Sequence, residues 1–344
     1  MRRLLLILFF LPLLSYAQVK YNPEAKKAYA KGVKEYKNNN LVDALKYFKQ
    51  AVAIEPIYAE AHLNISNIHY GRSKFNEALA SAKSAYANNK FEASIYTQLG
   101  KCYYKTGNAD SAAFFLEKGV SLGSSGEFDL LYLGKSQASI ENYDAALINL
   151  DKVIAINDKN IEAYNAKGSV YFNMFEFEKA DAQFKKALEI DPSSGAVLSN
   201  LANSALLQGK SDEALEYVQK GLAAANDQQK VELLVIAGSL HFSNKELDEA
   251  ADMFKQAYDL DQNNIVVLNN QAALFLEQSQ YESAIEKCNA ALDIQPEMME
   301  AYFNRGIANE MLRNVADACS DWEQAFILGS EEAEEFLNSA TCNE

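Results

Sequence analysis

Apolar and small residues recur along this chain with the spacing of one helix face, and the whole pattern repeats about every 34 residues. The clearest marker is an alanine that returns throughout the chain. Neighbouring copies stand 34 residues apart, except Ala214 and Ala250, which stand 36 apart. Self-similarity at a fixed period of this length is typical of repeat architectures. The marker alanines are Ala44, Ala78, Ala112, Ala146, Ala180, Ala214, Ala250, Ala284 and Ala318.

Two further positions keep step with the marker alanine. A small residue precedes it by twelve positions in every repeat, and a mostly large apolar residue follows it by four. The small residues are Gly32, Ser66, Gly100, Gly134, Gly168, Ala202, Gly238, Ala272 and Gly306. The following residues are Phe48, Ala82, Leu116, Leu150, Phe184, Val218, Phe254, Cys288 and Trp322.

This pattern predicts an all-α chain of antiparallel helix pairs. Small residues let two helices approach closely, and the large residue fills the groove beside them. Proline stands at the same phase in three repeats, as Pro56, Pro192 and Pro296, where a helix is expected to stop. Because one pair cannot bury its own apolar face, the repeats must stack on their neighbours.

The repeat resembles the tetratricopeptide repeat. Its signature is matched by the segment Ala163-Tyr164-Asn165-Ala166-Lys167-Gly168, followed by Tyr171, Phe177, Ala180, Phe184, Ala187 and Pro192. The resemblance implies a right-handed superhelical solenoid whose first helices line a concave groove that binds peptides or proteins. It covers residues 25–332 as nine repeats, which start near residues 25, 59, 93, 127, 161, 195, 231, 265 and 299.

The two ends and the one longer repeat complete the predicted organisation. Residues 18–24 are expected to be a flexible extension, and residues 333–344 a capping helix and tail, with the helix itself at 334–340. We assign the two extra residues of the 36-residue step to a longer loop around 224–230. Residues are numbered by their place in the repeat, and place 1 is the first residue of each repeat.

The first residues predict a secretory signal peptide. Arg2 and Arg3 precede an apolar run from Leu4 to Leu14, and Ser15-Tyr16-Ala17 has the small residues of a cleavage site. The run is shorter than the roughly 20 residues that span a bilayer, although an uncleaved anchor is the alternative. We therefore expect residues 1–17 to be removed and the chain to be exported to the periplasm or the medium.

Charge and composition exclude several kinds of partner. The formal net charge is −15, and it becomes about −17 without Arg2 and Arg3. Such an acidic surface repels nucleic acid and anionic membranes. No second stretch is apolar enough to predict a transmembrane span, and the high apolar content argues against disorder.

The sequence shows no pattern of catalysis, cofactor binding or metal binding. Cys102 and Cys288 are predicted to be buried thiols that act as small apolar residues. The histidines, His62, His69 and His241, occupy places that usually hold packing residues. Gly134-Lys135-Ser136 lacks the earlier glycine that a phosphate-binding loop requires. We expect a protein that is not an enzyme and that needs no cofactor.

The groove that the resemblance implies would carry lysines and amides. Lys101, Lys105 and Lys135 form a basic patch that suits an acidic segment of a partner, and asparagine amides suit an extended peptide backbone because each both donates and accepts. The alternative is ordinary family usage of asparagine at these places. The other groove residues are Asn165, Ser169, Asn173, Ser199, Asn200 and Asn203, with Asn64, Asn67, Asn269, Asn270 and Asn304 towards the two ends.

The last cysteines resemble the closing unit of exported bacterial tetratricopeptide proteins. Ala318-Cys319-Ser320-Asp321-Trp322 is followed by Leu328-Gly329 and by Cys342. The resemblance implies a Cys319–Cys342 disulfide, and two independent thiols are the alternative. The sequence as a whole predicts a protein-binding scaffold. A structural subunit held through its ends and an enzyme with a site between helices stay open as alternatives.

Overall fold

A computed structural model describes residues 21–338 and Cys342. Over these residues the chain has nineteen helices and no strand. The prediction of an all-α chain of consecutive helix pairs is confirmed. The chain divides into two compact units, Met1–Asn142 and Tyr143–Glu344. The predicted signal peptide, residues 1–17, lies outside the described residues.

The first unit contains seven helices in three pairs followed by a single helix. Each first helix of a pair packs on its own second helix, and α3, α5 and α7 also contact one another in order. Helices α3, α5 and α7 therefore form one continuous face of this unit. The helices are α1 Pro23–Lys37, α2 Leu41–Ile54, α3 Ala59–Gly71, α4 Phe75–Asn88, α5 Ala93–Lys105, α6 Ala109–Ser121 and α7 Glu127–Ser139.

The second unit continues the same arrangement. The odd-numbered helices from α9 to α17 contact one another in order, and each packs on the even-numbered helix that follows it. The helices are α8 Tyr143–Ile156, α9 Ile161–Asn173, α10 Phe177–Ile190, α11 Gly195–Leu207, α12 Ser211–Leu222, α13 Asp227–Ser243, α14 Leu247–Leu260, α15 Ile265–Glu277, α16 Tyr281–Ile294, α17 Met299–Met311, α18 Val315–Ile327 and α19 Glu331–Leu337.

Five helix pairs have glycine at place 8 in close approach to the side chain at place 24. A Cβ added at Gly168 would lie 2.4 Å from Cε1 of Phe184, and one at Gly306 would lie 2.4 Å from Nε1 of Trp322. Phe184 and Trp322 are almost fully buried. The small residue is therefore required because the large side chain occupies the space a Cβ would need.

The turn inside each repeat places one residue in the left-handed region. This residue stands at place 15 in all nine repeats, and only Gly107 and Gly209 among them are glycine. Side chains other than glycine adopt this region rarely. The other seven, with φ between 57° and 63°, are Asn39, Ser73, Glu141, Phe175, Lys245, Ser279 and Arg313.

The 36-residue repeat differs from the sequence prediction. The connection between α12 and α13 is no longer than its neighbours, and α13 instead begins at Asp227, one turn before the expected start at residue 231. Asn226 and Gln229 form a reciprocal capping box, which stabilises this added turn. Gln229 also packs against Gly195 at the start of α11, where a Cβ would lie 2.7 Å from its Oε1.

Both ends of the described chain also differ from the expected boundaries. Helix α1 begins at Pro23, capped by Asn22, within the segment expected to be a flexible extension. The ring of Tyr21 stacks on Tyr58 with centroids 4.0 Å apart. The last helix, α19, starts at Glu331, before the predicted residue 334, and the expected end at residue 340 lies outside the described residues.

Candidate functional site

The first unit carries Lys101 in a polar groove between α3, α5 and α7. Its Nζ lies 3.2 Å from Oδ1 of Asp129, and the hydroxyl of Ser124 donates to Oδ2 of the same carboxylate at 2.5 Å. Lys101 and Asp129 are both largely shielded from solvent. One charge of the predicted basic patch is therefore compensated within the chain.

The other two predicted lysines lie over aromatic rings. Nζ of Lys105 is 5.8 Å from the ring centroids of Phe75 and Tyr132, and Nζ of Lys135 is 5.4 Å from that of Tyr104. Such cation–π contacts attract the lysine ammonium group to the face of the ring. Lys105 is exposed and Lys135 is half-buried.

The predicted amides of the second unit bond to one another between consecutive first helices. Nδ2 of Asn200 on α11 donates to Oδ1 of Asn165 on α9 at 2.8 Å. Asn304 on α17 donates to Asn269 on α15 in the same way, at 2.9 Å. Place 6 of one repeat thus donates to place 5 of the repeat before it. Each bond uses one donor and one acceptor, so each pair keeps further donors and acceptors for a ligand.

The remaining predicted polar residues divide into two groups. The hydroxyl of Ser169 donates to the backbone oxygen of Asn165 at 3.1 Å, so it is used within its own helix. Asn173 is exposed at the end of α9, and Asn203 lines a pocket beside Asn200. Among the predicted amides of the second unit, the structure therefore joins Asn165 with Asn200 and Asn269 with Asn304 directly.

A pocket of about 300 Å³ lies on the first helices of the second unit. Its walls come from α11, α13 and the start of α15. Its apolar part was not predicted from the sequence. Places 5 and 6 of the seventh repeat hold Val235 and Ile236, where the fifth, sixth, eighth and ninth repeats each carry at least one asparagine. That break in the polar pattern was the available signal. The lining residues are Ser199, Asn200, Asn203, Val231, Glu232, Val235, Ile236, Asn264 and Val266.

Two polar groups in this pocket lack a partner. The hydroxyl of Ser199 is buried and forms no hydrogen bond within the described chain. Glu232 forms no ion pair among the described residues, and burial by the pocket walls raises the pKa of its carboxyl group. The unpaired buried hydroxyl of Ser199 is destabilising unless a ligand satisfies it, whereas Glu232 is an exposed residue that water can still reach.

The isolated cysteines and the histidines show no arrangement for catalysis. Burial raises the pKa of the Cys102 thiol to about 11 and that of Cys288 to about 12, which keeps both thiols protonated and unreactive. His62 contacts the backbone oxygen of Pro56, and His241 contacts Glu246. Burial lowers the pKa of His69. Residues 21–338 and Cys342 contain no cluster suited to a metal ion.

The C-terminal cysteines lie close together. The Cα atoms of Cys319 and Cys342 are 5.7 Å apart, a separation that a disulfide spans. Nearby, Arg305 makes a two-pronged ion pair with the buried carboxylate of Asp321, at 2.9 and 2.6 Å. Asn309 also donates to Asp321, at 3.1 Å. The ion pair therefore joins α17 to α18, and the two cysteines bring the chain after α19 close to α18.

Comparison with protein families decides what kind of repeat this is. Family models described as the tetratricopeptide repeat match residues 93–122, 161–194, 199–265 and 269–333. The chain belongs to the tetratricopeptide repeat family. The matched stretches cover α13 and most of α11 and α15, whose residues line the pocket.

Relatives share this architecture at low sequence identity. The BBSome complex member BBS4 of Bos taurus is 24% identical over 291 residues, covering 84% of this chain and 55% of its own length. The DnaJ homolog subfamily C member 7 homolog of Dictyostelium discoideum is 22% identical, covering 87% of this chain and 61% of its own length. This tetratricopeptide chain therefore spans a little over half of each relative.

Solved structures show the same fold. A tetratricopeptide repeat protein from Parabacteroides merdae superposes with a TM-score of 0.60 at 19% identity, covering 74% of this chain and all of that one. The Cut9–Hcn1 hetero-tetramer of the APC/C gives a TM-score of 0.62 at 13% identity, covering 92% of this chain and 76% of that one. No helix within the described part is long and apolar enough to cross a membrane.

Proposed function

We propose that this protein is a non-enzymatic scaffold that binds a protein or an extended polypeptide along its first helices. The observation that carries the proposal is the amide pair Asn165–Asn200, which bridges consecutive first helices and is half-buried with donors and acceptors to spare. Amides held at fixed spacing suit the backbone of an extended chain, whose own N–H and C=O groups alternate.

Membership of the tetratricopeptide repeat family supports a protein as the ligand. A relative named as a member of the BBSome complex supports it further. The lysines on the first helices of the first unit would suit an acidic segment of the partner. The exposed Lys105 carries that part of the proposal, since the charge of Lys101 already faces Asp129.

We also propose that the protein works outside the cytoplasm. The support is the signal peptide expected at residues 1–17 and the two cysteines brought together at the C-terminal end, since oxidising compartments favour such pairs. Fractionation of cells that make the full chain, with N-terminal sequencing of the mature protein, tests this. A cytoplasmic protein that keeps Met1 would contradict it.

Site-specific photo-crosslinking in those cells tests the scaffold. A photoreactive amino acid at Asn173, exposed on α9, is compared with one at Lys220, exposed on α12. The proposal expects discrete protein crosslinks from Asn173 and none of the same species from Lys220. Identical crosslinks from both positions, or none from Asn173, would place the interface elsewhere. Crosslinks confined to the terminal helices would favour a subunit held through its ends.

A further inference from the structure

The geometry points to a specific ligand for the pocket between α11, α13 and α15. We propose that it accepts an apolar side chain of an extended peptide together with an adjacent cationic group, a lysine, arginine or terminal amine. The inference rests on the proposed scaffold function and specifies which peptide side chains this pocket binds. The pocket combines apolar and acidic groups in one concavity.

The floor of the pocket is apolar and open to solvent. Val235 and Ile236 contribute from α13, and Val266 contributes from the start of α15. Val266 is 50% exposed, although it lies in a concavity beside two other aliphatic side chains. Burying this surface against an apolar ligand side chain stabilises a complex by about 25 cal/mol per Å².

The charge in the pocket is negative and uncompensated. Glu232 is partly enclosed by the apolar walls and has no cationic partner among the described residues. An incoming cation would supply the missing partner and form a charge-assisted hydrogen bond. The chain as a whole carries a formal net charge of −15, which favours the approach of basic peptides.

The polar rim fits a peptide backbone. Asn200 and Asn203 lie on one side of the pocket, and the buried hydroxyl of Ser199 lines it without a partner in the described chain. A backbone group of the ligand would satisfy this hydroxyl. The volume of about 300 Å³ lies at the lower end of the range for ligand pockets, about 300–1,000 Å³, so it suits side chains of a peptide rather than a folded domain.

The experiment begins with a random peptide library displayed on phage and selected on the full chain. The best peptide is then synthesised in four matched forms, in which the apolar residue is kept or changed to serine and the basic residue is kept or changed to glutamate. Fluorescence anisotropy measures each dissociation constant. We expect the form with both residues to bind most tightly, with each change weakening it about tenfold or more.

Variants of the protein assign each preference to a residue. Glu232→Gln should abolish the preference for the basic residue and keep that for the apolar one. Val266→Asn should do the reverse. The matched controls are Glu300→Gln, also at place 2 of its repeat, and Val42→Asn, an exposed valine outside the pocket. Neither control should change binding more than twofold.

Ser199→Ala separates binding from folding. Removing an unsatisfied buried hydroxyl should leave the melting temperature unchanged or raised, and at the same time it should weaken peptide binding. Weaker binding with a lowered melting temperature would show only a structural role for Ser199.

Three outcomes would overturn the inference. They are selected peptides without an apolar–basic pair, an unchanged preference in Glu232→Gln, and a selection that enriches no peptide over the Glu232→Gln variant. The scaffold itself survives these outcomes when crosslinks from Asn173 still identify a partner. The failures of the two proposals are therefore distinguishable.

Discussion

Asn200 donates its side-chain amide to Asn165, 35 residues earlier, across 2.8 Å between consecutive first helices. Asn304 and Asn269 reproduce this bond at 2.9 Å, away from the pocket. Each bond is expected to contribute about 1 kcal/mol to the free energy of unfolding, so Asn200→Ala and Asn304→Ala should destabilise the chain equally.

Binding should separate these two variants. Because Asn200 lines the pocket and Asn304 does not, we expect only Asn200→Ala to weaken binding of the selected peptide, by about tenfold. Chemical denaturation and fluorescence anisotropy check the two parts. Equal losses of affinity would show that the amides act on the stacking of repeats and not on the ligand.

The helix pair of the fifth repeat should not tolerate a larger residue at Ala180. Ala180 is fully buried against a core that includes Phe184 and Leu201. Overpacking by Ala180→Leu is expected to cost about 1–3 kcal/mol in the free energy of unfolding. Ala182→Leu, on the exposed side of the same helix, is the control and should stay close to the parent in a thermal melt.

Much of the fold could be predicted from such positions. The close approach of two helices favours small residues at places 8 and 20 in every repeat and a large one at place 24 in most, so these residues recur with the period of the fold. Gly168 and Phe184 show the contact that this pattern predicts. Periodicity reports backbone geometry well because every copy meets the same packing requirement.

The candidate site was less predictable because the residues that form it do not recur from repeat to repeat. The ion pair between Lys101 and Asp129 joins side chains of two repeats, and no other repeat has the same two residues to reveal it by recurrence. The added turn of α13 depends on a local capping box, Asn226 with Gln229, which looks like loop sequence until the helix is seen. The apolar pocket appeared in the sequence only as missing amides.

Reversing two lysines tests the proposed acidic ligand of the first unit. We expect Lys101→Glu with Lys135→Glu to weaken binding of an acidic partner steeply and to make binding less sensitive to salt. Lys46→Glu with Lys49→Glu, exposed on α2, is the control. Adding Asp129→Lys to the double variant restores an ion pair with the charges exchanged. If this triple variant still fails to bind, local unfolding is not the cause of the lost binding.

A disulfide between Cys319 and Cys342 should stabilise the C-terminal end. Closing a loop with a sequence separation of 23 residues contributes about 3 kcal/mol in the chain-entropy account. Reductant should lower the melting temperature of the oxidised protein, and it should have no effect on that of Cys342→Ser. Mass spectrometry of non-reduced peptides checks the bond directly, and two free thiols would contradict it.

The raised pKa of Glu232 should make the free energy of unfolding depend on pH. Its pKa is raised by burial, so the folded chain binds this proton more tightly than the unfolded chain does. The stability this adds is present below the unfolded pKa, about 4.3, and is lost as the pH rises through the folded value. Glu232→Gln should therefore match or exceed the parent in stability at pH 7.

Denaturation at a series of pH values checks this difference. The gap between Glu232→Gln and the parent should close as the pH falls below about 4. Binding of the apolar–basic peptide should be lost over the same range, because a protonated carboxyl group offers no charge to the cation. A variant that is less stable than the parent at pH 7 would reveal a stabilising partner for Glu232.

The left-handed turns have an evolutionary consequence. Phe175, 77% exposed, adopts φ 59°, a conformation that costs a residue other than glycine about 1–2 kcal/mol. Glycine would relieve this strain at some entropic cost, so exchange at seven exposed turns adjusts heat tolerance in small steps. None of these turns lines the pocket. A lineage can therefore adapt to a new temperature at the turns and acquire a new ligand on the first helices, each without disturbing the other.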